Sequence, residues 1–164
     1  MNRGVIYVHS APSAVCLHVE WAIAGVLGSR PPGIEWRAQP VLPGSCRTEF
    51  AWSGSPGLSA TLASALRGWA HVRYEITEES AGSAEGSRYA YTPDLGIYHA
   101  VTGVHGDVLV PEERIKAALV ASMHGEVSLS AELERLLGSA WDSELEPYRT
   151  AGESASVRWL HRVG

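Results

Sequence analysis

The chain is short of several things, and each shortage excludes a class of protein. It has one lysine, Lys116, among thirteen basic residues, and no basic tract. Backbone affinity for nucleic acid comes from clustered cationic contacts, so an acidic chain without such a cluster is not expected to bind nucleic acid. It has two cysteines, Cys16 and Cys46. That is too few for a disulfide framework, and both are expected as reduced, mostly buried thiols rather than as a bridge. No apolar run approaches the roughly 20 residues of a membrane span. The opening MNRGVIYVHSAPSAV is too short and interrupted for a secretory signal, so a cytoplasmic protein without membrane contact is expected. Glycine-rich phosphate loops, the nucleophile elbow and internal repeats are missing as well.

What is present suffices for a core. The chain has 164 residues, 45% of them hydrophobic. A compact chain of that size buries roughly 70% of the surface its unfolded form exposes, which excludes disorder for most of its length. The net charge of −5 is uneven. Residues 1–74 carry six Arg and three Glu, whereas residues 75–164 carry seven basic and fifteen acidic groups. The excess of Arg over Lys, with much Ala and Gly, reflects a GC-rich coding genome rather than phosphate binding.

Periodicity divides the chain into elements. Residues 3–9 are almost continuously apolar, as in a strand buried on both faces. Ser10–Ser13 forms a turn, and Val15, Val19, Ile23, Val26 and Leu27 predict a helix over 13–27 that Gly28 ends. Ile34, Trp36 and Ala38 alternate with polar residues, as do Cys46, Thr48, Phe50 and Trp52; the turn at Pro40–Gly44 makes them a hairpin. Ser55-Pro56 predicts a helix start, and Leu58, Leu62, Ala65, Leu66 and Trp69 its stripe. Val72, Tyr74 and Ile76 predict a fourth strand. The first 77 residues thus read β-α-β-β-α-β, the ferredoxin-like order with a mostly antiparallel sheet. One sheet face meets two helices; the other carries Glu35, Arg37, Arg47, Glu49, Arg73 and Glu75.

Residues 78–87 are polar and small, and are expected as a mobile loop. Residues 88–164 predict a β-hairpin around Pro93-Asp94, a short strand at 107–110, and a helix opened by Pro111 with Ile115, Leu119 and Met123 along one side. A second helix is expected over about 130–146, with Leu133, Leu136, Leu137, Ala140, Trp141 and Leu145 inward and Pro147 as its stop. Val157, Trp159, His161 and Val163 then alternate as in a final strand. The expectation is one α+β domain over 1–164, the second half packed on the first.

The densest group of chemistry-bearing residues is His9, Ser10, Cys16, His18 and Glu20, where a strand end feeds a helix start. On a regular helix Cys16 and His18 lie about 160–200° apart, so they do not share one metal, and no second ligand pair completes a zinc site. No metal and no cofactor is expected. A Cys16 nucleophile with His9 as base is one reading; the plainer one makes Cys16 core and His9 a strand cap. In Trp141–Arg149, Asp142 and Glu146 share a helix face, and Glu144 points elsewhere. Thr92 and Asp94 offer hydrogen bonds to a ligand or simply make a turn. The β-α-β-β-α-β order is also that of the RNA-recognition fold, but Arg47–Trp52 lacks that fold's glycines, and Phe50 and Trp52 fall on the helix-covered face.

Six blocks spread from end to end carry a family resemblance: GVIYVHSAPSAVCLHVEWA (4–22), SALRGWAHVRYEITE (64–78), TPDLGIY (92–98), VPEERI (110–115), WDSELEPYR (141–149) and WLHRVG (159–164). The chain resembles an actinobacterial family of uncharacterised proteins, domain of unknown function 3145. The resemblance implies a bacterial cytoplasmic protein. It brings no established activity, and so no catalytic residue. In the family's pattern proline stands between the cysteine and the histidine; this chain has Leu17. The functional expectation is a non-catalytic interaction or regulatory module with a protein partner or a second copy, rather than an enzyme. The alternative is a small enzyme or ligand-binding protein with a pocket lined by His9, Ser10, Cys16, His18, Thr92 and Asp94.

Overall fold

The apolar run at the start of the chain becomes the strand around which the sheet is built. The computed structural model describes residues 1–79 and 85–151. Strand β1 (Asn2–Pro12) lies between β3 (Ser45–Gly54) and β4 (Arg73–Glu78), antiparallel to both. Gly4 permits this close approach. A Cβ there would stand 1.9 Å from the Thr77 carbonyl oxygen and 2.7 Å from the Trp52 ring. Strand β2 (Arg37–Ala38) pairs with the outer side of β3. On the other side, β4 pairs with β5 (Gly86–Thr92), then come β6 (Gly96–Thr102) and β7 (Val108–Leu109). The result is one antiparallel sheet in the order β2-β3-β1-β4-β5-β6-β7. The two halves therefore share a single seven-stranded sheet, three strands more than the first 77 residues predict, in an α+β fold.

Helix α1 (Cys16–Leu27) follows a 3₁₀ turn at Ser13–Val15 and ends at Gly28, whose φ of 76° is left-handed as its role requires. It packs beside α2 (Leu58–Leu66) on one sheet face. Ile6, Val8, Phe50, Trp52, Tyr74 and Ile76 project from the strands into Val19, Ile23, Leu62 and Leu66. Each fully buried aliphatic side chain here contributes roughly 1.5–3 kcal/mol.

Several local expectations are corrected. The strand expected over 34–38 is formed only at Arg37–Ala38. Trp36 donates its indole N–H to Glu20 of α1 (3.3 Å), and Ile34 is buried in the core beneath the helices, so this stretch leaves the sheet edge. Gln39, expected outward, is buried because its amide donates to the His9 carbonyl over 2.7 Å. Helix α2 starts at Leu58, after Gly57, and not at Ser55-Pro56. Its first N–H groups are held by Glu78 of β4, which accepts from Gly57 N (2.7 Å), Ser59 N (3.1 Å) and Ser59 Oγ (2.5 Å). A carboxylate at a helix N-terminus meets both free N–H groups and the positive end of the dipole. Of the loop expected over 78–87, Glu78 belongs to β4 and Gly86 and Ser87 to β5, while residues 80–84 lie outside the described residues.

The expected helix over 130–146 is two helices, α4 (Leu129–Leu137) and α5 (Ser139–Thr150), which follow α3 (Glu112–Met123). Gly138 separates them, with φ 78° and the Tyr98 ring 2.6 Å from where its Cβ would be. Tyr98 Oη donates to the Leu136 carbonyl over 2.8 Å and so satisfies the end of α4. The heptad count runs across a single left-handed residue without a gap, which is why the sequence reads as one helix. Leu136 and Leu145 point inward, but Leu137 and Ala140 face outward. Pro147 sits inside α5 and does not stop it. Arg149 and Tyr148 explain why: both are tied down to the sheet, as described below. The final strand expected over 156–163 lies outside the described residues.

Helix α5 covers part of the sheet face that sequence leaves open. Leu145 and Trp141 pack there on Ala90, Tyr98 and Ala100. The exposed charged face is thus confined to the β1–β3 side, where Glu35, Arg37 and Glu49 lie, and Glu75 at its centre becomes one of the most buried residues of the protein.

Candidate functional site

The most concentrated polar chemistry is this covered ground. Glu75 stands on β4, 1% exposed. Its Oε1 accepts from Arg88 Nη2 (2.7 Å), Arg88 Nε (3.2 Å) and Arg149 Nη2 (2.6 Å). Its Oε2 accepts from Arg149 Nε (2.9 Å) and, in the Nε2–H tautomer, from His9 over 2.7 Å. Arg88 and Arg149 both reach on to Asp142 Oδ1, at 2.5 and 2.9 Å. Arg149 also lies 3.4 Å from Glu146. Two guanidiniums bridge two carboxylates from β4, β5 and α5. Burial alone would push the Glu75 carboxyl up; the hydrogen bond and charge of His9, then Arg149 and Arg88, hold it well below its usual value. Asp142 and Glu146, the pair sharing a helix face, are thus engaged by guanidiniums.

A carboxylate offers about four lone-pair sites. Five donors already meet Glu75, so it has no lone pair for general-base work. The cluster fastens α5 to the sheet. A second strand of the network lies beside it. Arg73 donates to Ser10 Oγ (3.4 Å), pairs with Glu144 (3.6 Å) and lies 4.7 Å over the Tyr148 ring. Thr92 Oγ1 donates to Glu144 over 2.8 Å and accepts from Leu95 N. The Tyr148 carbonyl accepts from Gln39 and Arg47, both at 3.3 Å. A register slip in β1 between Val8 and Ser10 places His9 and Ser10 in this network.

The six residues singled out from sequence are therefore divided. His9, Ser10 and Thr92 share the ground beneath α5. Cys16 is in the apolar core on the opposite side of the sheet, its thiol directed at the Pro12 and Ala11 carbonyls at 3.5 and 3.8 Å. Burial, then Cys46, pushes that thiol up to about 12. A thiol so raised holds almost no thiolate at neutral pH. Both cysteines are free. His18 is on the outer side of α1, stacked on Trp69 at 5.8 Å and edge-on to Trp21 at 5.2 Å. Asp94 is exposed in the β5–β6 turn. Among the described residues no three His, Cys, Asp or Glu are grouped to hold a metal ion.

Sequence reasoning missed Glu75, Arg88 and Arg149. No local signal marked them: Glu75 alternates with Tyr74 and Ile76, and Arg88 with Tyr89, as polar residues of half-buried strands do. Read alone, each was a solvated charge; only the sheet order makes β4 and β5 neighbours beneath a helix.

A different feature stands outside the sheet. Helix α3 packs on α4 and buries only Ala118. Ile115, Leu119, Val120 and Met123 remain 38%, 43%, 55% and 84% exposed. Val127 and Leu137 are exposed nearby in sequence on the α3–α4 unit. No helix among the described residues is long and apolar enough to cross a membrane.

Among comparisons with known proteins, one family model, described as a protein of unknown function (DUF3145), matches residues 5–162. No curated protein and no solved structure matches the chain.

Proposed function

The chain belongs to the DUF3145 family, and we propose that it is a non-catalytic interaction module that docks a protein partner through α3. The apolar stripe of that helix is the observation that carries the reading. Large apolar side chains left uncovered on one helix face mark interaction surfaces. Ile115, Leu119 and Met123 recur at i, i+4, i+8, the spacing by which a helix fills a partner's groove. Between Pro111 and Leu137 five acids outnumber three cations. A second copy would bring like charge to the rim, so the fitting partner is a different protein with an apolar groove and a cationic rim.

The saturated Glu75 and the raised Cys16 thiol support the non-catalytic side of the reading. The order of β1 to β4 with α1 and α2 supports a ferredoxin-like unit extended by a meander, and the resemblance to the family, with which the Arg-rich composition agrees, supports an actinobacterial, cytoplasmic setting. Native mass spectrometry of complexes formed by the tagged full chain tests the proposal. A stoichiometric complex that Leu119→Glu with Met123→Glu abolishes, with the circular dichroism spectrum kept, is the expected result. A complex unaffected by both substitutions, or turnover of a substrate by the isolated chain, overturns it.

A further inference from the structure

Strand β3 has ten residues, and β2 pairs only with Cys46 and Arg47 among them. From Thr48 to Gly54 its outer side meets no other strand among the described residues. The direction of the free groups follows from the pairing. The Ser45 carbonyl accepts from Gln39 N (2.9 Å) on the outer side, where Arg47 also faces Arg37. A residue of an antiparallel strand turns its N–H and C=O to one side, and the next residue turns them to the other. Glu49, Ala51 and Ser53 therefore hold their N–H and C=O groups outward, while Thr48, Phe50 and Trp52 bond inward to β1.

Proteins blunt such an edge with proline, lysine, a bulge or a very short strand. The opposite edge follows that rule, since β7 has two residues. The free run of β3 holds neither proline nor lysine, and the irregularity in its ladder with β1 lies outside it, between Val8 and Ala11 of β1. Ala51 and Ser53 are small and exposed. Concavities of about 420 and 460 Å³ open along the edge, and Ala51 borders both. Burial of Ile34 draws the 29–35 stretch to the helix side of the edge, and no backbone hydrogen bond joins that stretch to Thr48–Gly54.

We infer that the occupant of this edge is a second copy of the chain, its β3 antiparallel to the first about a two-fold axis at Ala51. Ala51 is the midpoint of the free run. The register pairs Ala51 with Ala51 and Glu49 with Ser53, and every outward N–H and C=O of both copies is closed by the other. The charges suit it as well. Ser53 faces Arg3 of β1 on its inner side. Glu49 of each copy thus lies in one row with Ser53 and the exposed Arg3 of the second copy, and no like charges stand opposite. An axis at Glu49 would oppose two carboxylates and run into β2 at Arg47; an axis at Ser53 would run past the end of β3. The two sheets become one. This surface is separate from α3, and the inference does not depend on docking there.

Sedimentation equilibrium of the full chain at high micromolar concentration is expected to show a dimer. Ser53→Glu sets a carboxylate against Glu49 at both symmetric contacts and should raise the dimer dissociation constant about tenfold or more. Adding Glu49→Lys restores opposite charges at the same contacts and should bring it back. A monomeric native chain, or a dimer indifferent to Ser53→Glu, overturns the inference. So does a dimer that Leu119→Glu with Met123→Glu abolishes. Should Ser53→Glu fail to fold, cross-linking decides. In a Cys46→Ser background, Ala51→Cys is expected to form a disulfide between two chains, because Cα atoms of such a pair lie about 5.5 Å apart. Glu49→Cys, whose two copies lie about 13 Å apart in this register, should not. Equal cross-linking at the two positions, or none at Ala51→Cys, overturns the inference.

Discussion

Replacing Glu75 by Gln tests the reading of the polar network as a structural lock. The substitution keeps the volume and removes the charge. It leaves Arg88, 5% exposed at its side chain, and Arg149, 11% exposed, with only the partly exposed Asp142 as their shared carboxylate and Glu146 as a second, longer partner of Arg149. Removing one partner of a buried ion pair costs about 3–5 kcal/mol, because the remaining charges stay desolvated. In a chain of this length each kcal/mol shifts Tm by roughly 2–4 °C, so a fall of about 6–20 °C is expected. Acid titration sharpens the test. The folded Glu75 carboxyl titrates well below its ordinary value of 4.5. Below that value the unfolded chain binds the proton more readily than the native one, so the native contribution is present at neutral pH and is lost as pH falls towards the folded value. Urea unfolding followed by circular dichroism at pH 7 and at descending acid pH reads both. The native chain should lose stability in acid more steeply than Glu75→Gln. A loss under 1 kcal/mol at pH 7, or parallel acid profiles, would refute the lock. So would strict additivity of Glu75→Gln with Arg149→Met, since groups in one network must couple.

Three further outcomes follow from particular contacts. Gly138→Ala places a Cβ against the Tyr98 ring at positive φ and should cost more than about 1 kcal/mol, read by chemical denaturation; Gly25→Ala, at a site where a Cβ meets open space within α1, should instead be neutral or stabilising. Glu78→Ala removes the acceptor for the first turn of α2 and should cost about 0.5–2 kcal/mol, with faster amide exchange at Gly57 and Ser59 as its local signature. Cys16 should label with a thiol reagent far more slowly than a free peptide thiol at pH 7, and labelling at the peptide rate would contradict the buried, raised thiol.

Much of the fold was legible because it follows from periods that a strand or helix imposes on its own residues. The run 3–9 reads as a strand because Ile6 and Val8 are buried towards α1 and α2, but on the other face Arg3 is exposed and Val5 and Tyr7 are half-buried, so the expected burial on both faces is reached only at His9, near the end of β1; Phe50 and Trp52 alternate towards α1 and α2 as their spacing demands. Gly28 ends a helix wherever it falls at the end of an apolar stripe. The errors came where a distant group replaced a local one. Ser55 is a sound local cap, but Glu78, twenty-one residues from Gly57, supplies the acceptor instead. Pro147 is a sound local stop, but Arg149 and Tyr148 are held to β3, β4 and Gln39 strongly enough to carry the helix past it. Of the six residues proposed for a site, His9, Ser10 and Thr92 meet in one network. Cys16 and His18 diverge because 3.6-residue periodicity sends one to the core and the other to solvent, and Asp94 stays in a turn.

The sequence by itself determined the elements, the apolar face that α1 and α2 cover, and the acidic, α+β character of the chain, since each is a property of neighbouring residues. Only the tertiary structure decided that β4 and β5 lie side by side, that α5 lies across them, and that Glu75 is a buried anchor rather than a solvated charge. Charge on a strand has the same sequence signature in water as beneath a helix; what separates the two is which surface the chain brings to cover it.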